Sequence, residues 1–173
     1  IISMIINSIY NIVDQIFIGK GVGIIGNAAT NVIFPIVIIC NALAGLVGNG
    51  AAANLSLRLG EGKKDEAKKS IGSSITLLFI ISILVVIIFE LLLPNLVYAF
   101  GCTKNVYSSA MTYGRIIVFG SFFMIVYSGL SQIIRADGSP KYSMICLLVG
   151  AILNIILDPI FIFTFNMGVA GGA

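Results

Sequence analysis

Long apolar stretches, separated by short polar segments, dominate the pattern of residues along the chain. Five of them extend over about residues 1–18, 32–57, 71–93, 107–134 and 142–165. Each is close to the roughly 20 residues that an α-helix needs to cross the hydrocarbon core of a bilayer. The pattern therefore predicts an all-α fold, a polytopic membrane helix bundle whose five transmembrane helices form a single membrane domain over residues 1–173.

Composition supports a membrane protein and excludes several other classes. Hydrophobic residues make up 58% of the 173 residues and charged residues only 10%, a balance that one soluble core could not bury. The net charge of +3 comes from lysines and arginines in short segments between apolar stretches, so nucleic acid is not an expected partner. Three cysteines without CxxC spacing and no histidine indicate neither a disulfide framework nor a zinc site, and no cofactor is expected.

The basic residues predict how the chain is oriented in the membrane. Segment 58–70 carries five of the ten lysines and arginines, and two more flank segment 135–141. The other side has Lys20, Lys104 and Arg115. Because cytoplasmic loops carry an excess of lysine and arginine, we expect 58–70 and 135–141 to be cytoplasmic loops of a plasma-membrane protein.

Polar residues share one side of the first apolar stretch. At 100° per residue they fall within an arc of about 160°, and they are Ser3, Asn7, Ser8, Tyr10, Asn11, Asp14 and Gln15. Asn7 and Asn11 are therefore predicted to line a polar surface, where hydrogen bonds between helices contribute about 0.6 kcal/mol each. Asp14 is different, because an aspartate at the centre of a membrane helix costs about 2.5 to 3.5 kcal/mol, and such acids are by default functional candidates.

The fifth apolar stretch contains a second acid with an amide and a proline beside it. Asn154 lies one helical turn before Asp158, so the amide can hydrogen-bond the carboxyl group. Pro159 follows directly. Its ring lacks an N–H group and presses on the carbonyl of Ile155, which predicts a kink. Acid, amide and proline together indicate a site rather than a purely structural feature.

Depth estimates place the two acids in one layer. At 1.5 Å per residue, Asp14 and Asp158 lie roughly 7 to 10 Å from the outer ends of their spans. Tyr113, about six residues into the fourth span, is predicted at a similar depth, and its phenol can donate to a carboxylate. Glu90, near the outer end of the third span, is interpreted as a side chain that reaches the interface.

Several motifs give the chain a family resemblance. In order, they are YNIVDQIFIG at 10–19, RLGEG at 58–62, AKK at 67–69, RADGSPK at 135–141, NIILDPIFIF at 154–163 and MGVAG at 167–171. Their order and spacing over nearly the whole chain resemble the amino-terminal lobe of the multidrug and toxic compound extrusion (MATE) family.

The resemblance implies a twelve-helix exporter of two six-helix lobes, which moves organic, often cationic, drugs outward in exchange for sodium or protons. This chain would supply five helices of the first lobe, so we expect it to be a fragment that works with a carboxyl-terminal lobe. By resemblance, Asp14, Asn154, Asp158 and Tyr113 are cation-coupling residues, and the first three are candidate sodium ligands. A sixth-helix threonine of that site would fall beyond Ala173.

Two alternatives remain open. A lipid-linked oligosaccharide flippase of related fold would need basic residues in its cavity to bind pyrophosphate, and the one cation inside a predicted span is Arg115. An intramembrane aspartyl protease would use two membrane aspartates that share a proton. However, Asp14 and Asp158 do not lie in the Tyr-Asp and Gly-x-Gly-Asp motifs that are typical of such proteases. We therefore predict a transporter without catalytic residues. The sequence names neither the drug nor the coupling ion.

Overall fold

The computed structural model of the chain describes residues 23–164 and 170–171, together with Ile12, Ile16 and Lys20. The side chains of residues 158, 163 and 164 are outside this description. The described part of the chain is helical and contains no β-strand. The all-α prediction is therefore confirmed for these residues.

Four long α-helices follow one another along the described chain. They are α1 (Ile24–Gly60), α2 (Lys64–Ala99), α3 (Lys104–Ala136) and α4 (Pro140–Pro159), which continues as a π-helix, Ile160–Thr164. All four are long and apolar enough to cross a membrane. They contain the second to fifth predicted spans, apart from residue 165. The first span, 1–18, lies almost entirely outside the described residues, so the structure shows four helices and the count of five stays a prediction.

The helices are longer than the apolar stretches that predicted them. α1 has 37 residues, about 55 Å at 1.5 Å per residue, whereas the hydrocarbon core of a bilayer is about 30 Å thick. It begins at Ile24, eight residues before the predicted span at 32–57. The extra turns contain Asn27 and Thr30, whose polarity hid them from a hydropathy-based prediction.

The turns between the helices are short and share one capping geometry. Gly62, Gly101 and Gly138 have φ angles of 76°, 86° and 83°, a left-handed conformation that glycine adopts without a steric cost. After α1, the N–H of Lys63 donates to the carbonyl of Arg58 (2.9 Å) and the N–H of Gly62 to that of Leu59 (3.1 Å). This pair of bonds is the Schellman motif, which satisfies the last carbonyls of a helix.

These short turns correct the prediction of two loops. Only residues 61–63 and 137–139 lie between helices, so the interpretation of 58–70 and 135–141 as loops is wrong. Most of their basic residues lie in the last turn of one helix or the first turns of the next. Which side of the membrane they face stays a prediction.

The end of α4 changes helix type at the predicted proline. α-Helical geometry ends at Pro159, and the five residues that follow form a π-helix. Single π-helical turns are rare and occur frequently at functional sites. Gly171 lies against this turn, because a Cβ atom there would be 2.8 Å from the carbonyl carbon of Phe161. The change of helix type coincides with Pro159, and the kink itself stays a prediction.

The chain divides into two compact units. The first comprises Ile1–Pro35, Leu91–Ile117 and Met144–Ala173. Helices α1, α2 and α3 meet within it at Gly114, where an added Cβ would lie 2.8 Å from Cδ1 of Ile33 and 3.1 Å from Cδ1 of Leu93. The absence of a side chain at Gly114 therefore lets two bulky apolar residues pack against α3. Small residues allow this close approach in membrane helices.

The second unit comprises Ile36–Glu90 and Val118–Ser143. Along α1 its buried residues recur every three or four positions, as expected for one face of a helix; they are Ile36, Cys40, Ala44, Val47, Ala51 and Leu55. α1 and α3 approach most closely at Gly48, where a Cβ would lie 2.9 Å from Cα of Gly129. Leu78 of α2 fills the space beside Gly129, 2.5 Å from an added Cβ.

Glu90 lies deeper in α2 than the sequence indicated. The helix continues nine residues beyond it to Ala99, about 14 Å at 1.5 Å per residue. The side chain is half-buried, and its Oε2 atom is buried. Glu90 therefore lies further from the end of its helix than predicted, and whether its side chain reaches the membrane interface stays a prediction.

Candidate functional site

The predicted site residues divide between the described and the undescribed parts of the chain. Asn7, Asn11 and Asp14 lie outside the described residues, so the predictions for them stand as they were made. Tyr113 and Asn154 are described completely, whereas Asp158 is described by its backbone alone. The described part of the predicted site therefore lies on α3 and α4.

Tyr113 is buried on α3, with 8% of its surface exposed. It lies nine residues after the start of the helix at Lys104, about 13 to 14 Å along its axis, which is deeper than the sequence suggested. The next residue is Gly114, which packs against Ile33 and Leu93. A close contact among three helices thus fixes the backbone beside the phenol, and a buried tyrosine hydroxyl usually finds a hydrogen-bond partner.

Asn154 and Asp158 are one turn apart on α4, as predicted. Asn154 is exposed within the described part of the chain, whereas Ala151 beside it is buried. The side of α4 that carries Asn154 is therefore partly packed and partly open. Because Pro159 has no N–H group, the carbonyl of Ile155 cannot accept the usual helical bond from that position. α4 thus presents an exposed amide and a carbonyl oxygen freed by proline within one turn of Asp158.

Tyr113, Asn154 and Asp158 belong to the same compact unit. The structure therefore brings together elements that are about 40 residues apart in the sequence. A cation site shared by these three side chains stays a prediction.

Two polar residues in the first turns of α1 were missed by sequence reasoning. The hydroxyl of Thr30, which is buried, donates to the carbonyl of Asn27 at 2.9 Å. Oδ1 of Asn27 is itself buried and has no hydrogen-bond partner among the described residues. A buried acceptor of this kind costs about 1 to 3 kcal/mol unless a donor reaches it. The signal was the polar cluster itself, which a hydropathy threshold assigns to a loop.

Two buried serines of the second unit are paired with one another across a helix contact. The hydroxyls of Ser131 on α3 and Ser143 on α4 are 2.5 Å apart, and Nε of Arg135 donates to Oγ of Ser143 at 3.1 Å. At 100° per residue, Ser143 falls on the same side of α4 as Asn154 and Asp158, so the sequence pattern alone would assign it to their polar surface. The structure instead shows it as a contact between two helices, one turn from their connecting segment.

The chain is similar to a family of known transporters. The MatE family model matches residues 1–160. The multidrug export protein MepA of Staphylococcus aureus is 33% identical over 174 residues, a match that covers 99% of this chain and 38% of MepA. The chain thus spans well under half the length of this relative.

Solved transporters share the fold of the chain. The MATE multidrug transporter DinF-BH superposes with a TM-score of 0.93 at 38% identity, over 98% of this chain and 38% of DinF-BH. A MOP superfamily transporter from Pyrococcus furiosus superposes with a TM-score of 0.93 at 29% identity, over 99% of this chain and 38% of that transporter. The reversed polarity of its binding pocket suggests a different function for that transporter.

Proposed function

Because the chain belongs to the MatE family, we propose that it forms part of a cation-coupled antiporter that exports organic, often cationic, drugs across the membrane. Two proteins similar to this chain are MepA, a multidrug export protein, and DinF-BH, a multidrug transporter. Their lengths support the further proposal that the chain acts with a second lobe. The chain is accordingly a transporter and not an enzyme.

Support for a coupling site comes from the polar groups of the first unit. Tyr113 is buried on α3, and Asn154 is exposed one turn before Asp158 on α4. The observation that carries the proposal is this placement of an amide and an acid beside a proline and a π-helical turn. Interrupted helices with freed carbonyls are the usual ion sites of secondary transporters. With Asp14, these groups form an oxygen-rich set for sodium or a proton.

Coupling follows from competition for one conformational equilibrium. A cation at Asp14 and Asp158 and a cationic drug each shift the equilibrium only by the difference in their affinity for its two states. Acids inside a membrane are expensive to keep ionised and unpaired, so at neutral pH at least one should hold a proton or sodium in one state. Release of this ion is then linked to drug binding.

The two alternative functions receive no support from the described residues. A flippase needs several basic groups for pyrophosphate, whereas the described cations of the first unit are Lys20, Lys104 and Arg115. Of these three cations, Arg115 is the one inside a predicted span, because it lies eleven residues after the start of α3. Asp14 and Asp158 still lack the sequence contexts of an aspartyl protease.

Drug efflux tests the proposal directly. The full-length protein, expressed in cells, is assayed with sodium and pH gradients imposed separately. We expect Asp14→Asn and Asp158→Asn each to abolish ion-driven efflux with expression nearly intact, since a neutral amide of the same shape removes the charge but retains the size. Wild-type efflux in both variants would show that these acids are structural and would refute the proposed site.

The membrane orientation needs its own test. A cysteine at the exposed position Asp65, in the first turn of α2, avoids the left-handed backbone at Gly62. If residues 58–70 face the cytoplasm, an impermeant thiol reagent added outside intact cells should label Asp65→Cys only after the cells are opened. Labelling of intact cells would reverse the proposed orientation.

A further inference from the structure

One face of α2 in the second unit combines three lysines with an apolar groove. The direction of this face is set by contacts with α1 on the other side of the helix. Glu66 accepts a hydrogen bond from Nη1 of Arg58, 2.5 Å away, and the hydroxyl of Ser70 donates to Oδ1 of Asn54 at 3.2 Å. Residues on the opposite side of α2 therefore point away from α1.

The lysines and the groove lie on that opposite side. At 100° per residue, Lys64, Lys68 and Lys69 fall within an arc of about 140°, centred roughly 150° away from the Glu66 and Ser70 side. The three α2 residues that line the groove, Ile83, Val86 and Ile87, fall within the same arc. The three lysines and the three groove residues thus lie on the same side of α2, at different heights along its axis.

The charge of the three lysines is not neutralised by the neighbouring acids. Glu66 and Glu61 form ion pairs with Arg58, and Glu61 also pairs with Lys63 at 3.0 Å. Among the described ion pairs none involves Lys64, Lys68 or Lys69, and all three lysines are exposed. At the level of the lysines, Asp65 is the one acid within their arc; Glu90 also falls in the arc, but 21 residues beyond Lys69, about 32 Å along the helix. The face therefore carries a net charge of about +2.

The groove has no charged lining residue. It has a volume of about 290 Å³ and lies between α2 and α3, lined by Ile83, Val86, Ile87, Phe119, Phe122 and Phe123. Phe119 and Phe123 are 62% and 73% exposed. The rings of Phe122 and Phe123 meet edge to face, 5.1 Å between centroids. Such a surface at mid-helix suits a hydrocarbon chain.

We propose that this face of α2 binds one anionic phospholipid, with its phosphate at Lys64, Lys68 and Lys69 and an acyl chain in the Phe-lined groove. Lys68 and Ile83 are 15 residues apart, about 22 Å along the helix. Half of a bilayer with its headgroup region is about 20 to 22 Å thick. The near end of the groove thus lies within reach of one lipid in one leaflet, whereas Ile87, about 28 Å from Lys68, lies beyond it. The proposal rests on the membrane location of the chain and is independent of its transport function.

Lipid titration of the purified full-length protein tests the proposal. Binding of dioleoylphosphatidylglycerol and of dioleoylphosphatidylcholine is counted by native mass spectrometry. The wild type should prefer the anionic lipid, and Lys64→Gln with Lys68→Gln should weaken its binding roughly 25-fold, at about fivefold per lysine. Binding of phosphatidylcholine should change less than twofold. The matched control, Lys104→Gln with Lys141→Gln, removes the same charge from exposed positions elsewhere and should leave the preference intact.

A groove variant separates the acyl chain from the headgroup. Phe123→Ala should weaken both lipids to a similar extent, whereas Phe34→Ala, which truncates an exposed phenylalanine of the first unit, should weaken neither. Unchanged gel-filtration profiles and melting temperatures verify folding. Equal affinity of the wild type for both lipids, or an equal loss in the control lysine pair, would overturn the proposal. So would inorganic phosphate binding as tightly as the lipid with no effect of Phe123→Ala, because the face would then be a simple anion site.

Discussion

Two polar clusters, one in each compact unit, differ in how their hydrogen bonds are satisfied. In the second unit, Ser131, Ser143 and Arg135 satisfy one another between α3 and α4. In the first unit, Oδ1 of Asn27 is buried without a hydrogen-bond partner among the described residues, and Asn154 is exposed. The polar groups at the α3–α4 contact are thus used up locally, whereas Asn27 and Asn154 keep unused hydrogen-bonding capacity.

This difference separates structural from functional polar residues. A buried polar group that is fully paired contributes to a unique arrangement of helices. A group with unused hydrogen-bonding capacity in a membrane protein costs free energy, and its presence favours a role in binding. We therefore assign the candidate site to the first unit and a scaffold role to the paired and closely packed contacts of the second.

The scaffold assignment predicts its largest effect at the crossing of α1 and α3. In Gly48→Ala the new methyl group would meet the backbone of Gly129 at 2.9 Å, and a backbone cannot rotate away as a side chain can. We expect a loss of about 1 to 3 kcal/mol of stability, measured as thermal unfolding of the full-length protein in detergent.

Two glycine variants control this prediction. Gly50→Ala, two residues further along α1, adds a methyl group with nothing within 4 Å and should leave the melting temperature unchanged or raise it. Gly129→Ala meets the tip of the Leu78 side chain, which can change rotamer, so a smaller loss than at Gly48 is expected. Equal melting temperatures for Gly48→Ala and Gly50→Ala would show that the crossing is not tight.

How much of this fold the sequence predicted differs from helix to helix. The apolar stretches of α2 and α3 were enough to locate both helices, because bilayer thickness imposes a length that hydropathy measures directly. The start of α1 was missed, because Asn27 and Thr30 lie in a helix that extends beyond its apolar stretch. The pairing of Ser143 with Ser131 could not be predicted, because it depends on a contact between helices and not on a pattern within one.

Part of the site could be predicted for a different reason. An acid inside an apolar stretch is conspicuous in any sequence, so Asp14 and Asp158 were found without a structure. The distance of Tyr113 from the start of its helix was underestimated, because the predicted span began at Tyr107 and left out the polar residues Lys104 and Asn105, whereas α3 begins at Lys104. The exposure of Asn154 depends on how α4 packs and had no sequence signal.

A smaller effect is expected at the turn between α1 and α2. Arg58 pairs with Glu66 and Glu61 across this turn, but all three side chains are at least about one-third exposed. Arg58→Gln should therefore cost only about 0.2 to 1 kcal/mol, and the loss should shrink as salt is added. Thermal unfolding at low and high ionic strength measures both. A large, salt-independent loss would show that Arg58 acts through a buried contact instead.

The most direct test of the division between the units is one paired measurement on the full-length protein. Asn154→Ala and Ser143→Ala are assayed side by side for ion-driven efflux per folded molecule and for thermal stability. The account predicts that Asn154→Ala lowers efflux without lowering stability, less severely than Asp158→Asn. It predicts that Ser143→Ala loses about 1 to 2 kcal/mol of stability, because it leaves Ser131 and Arg135 without this partner, yet still transports. Wild-type efflux in Asn154→Ala, or lost efflux with unchanged stability in Ser143→Ala, would contradict it.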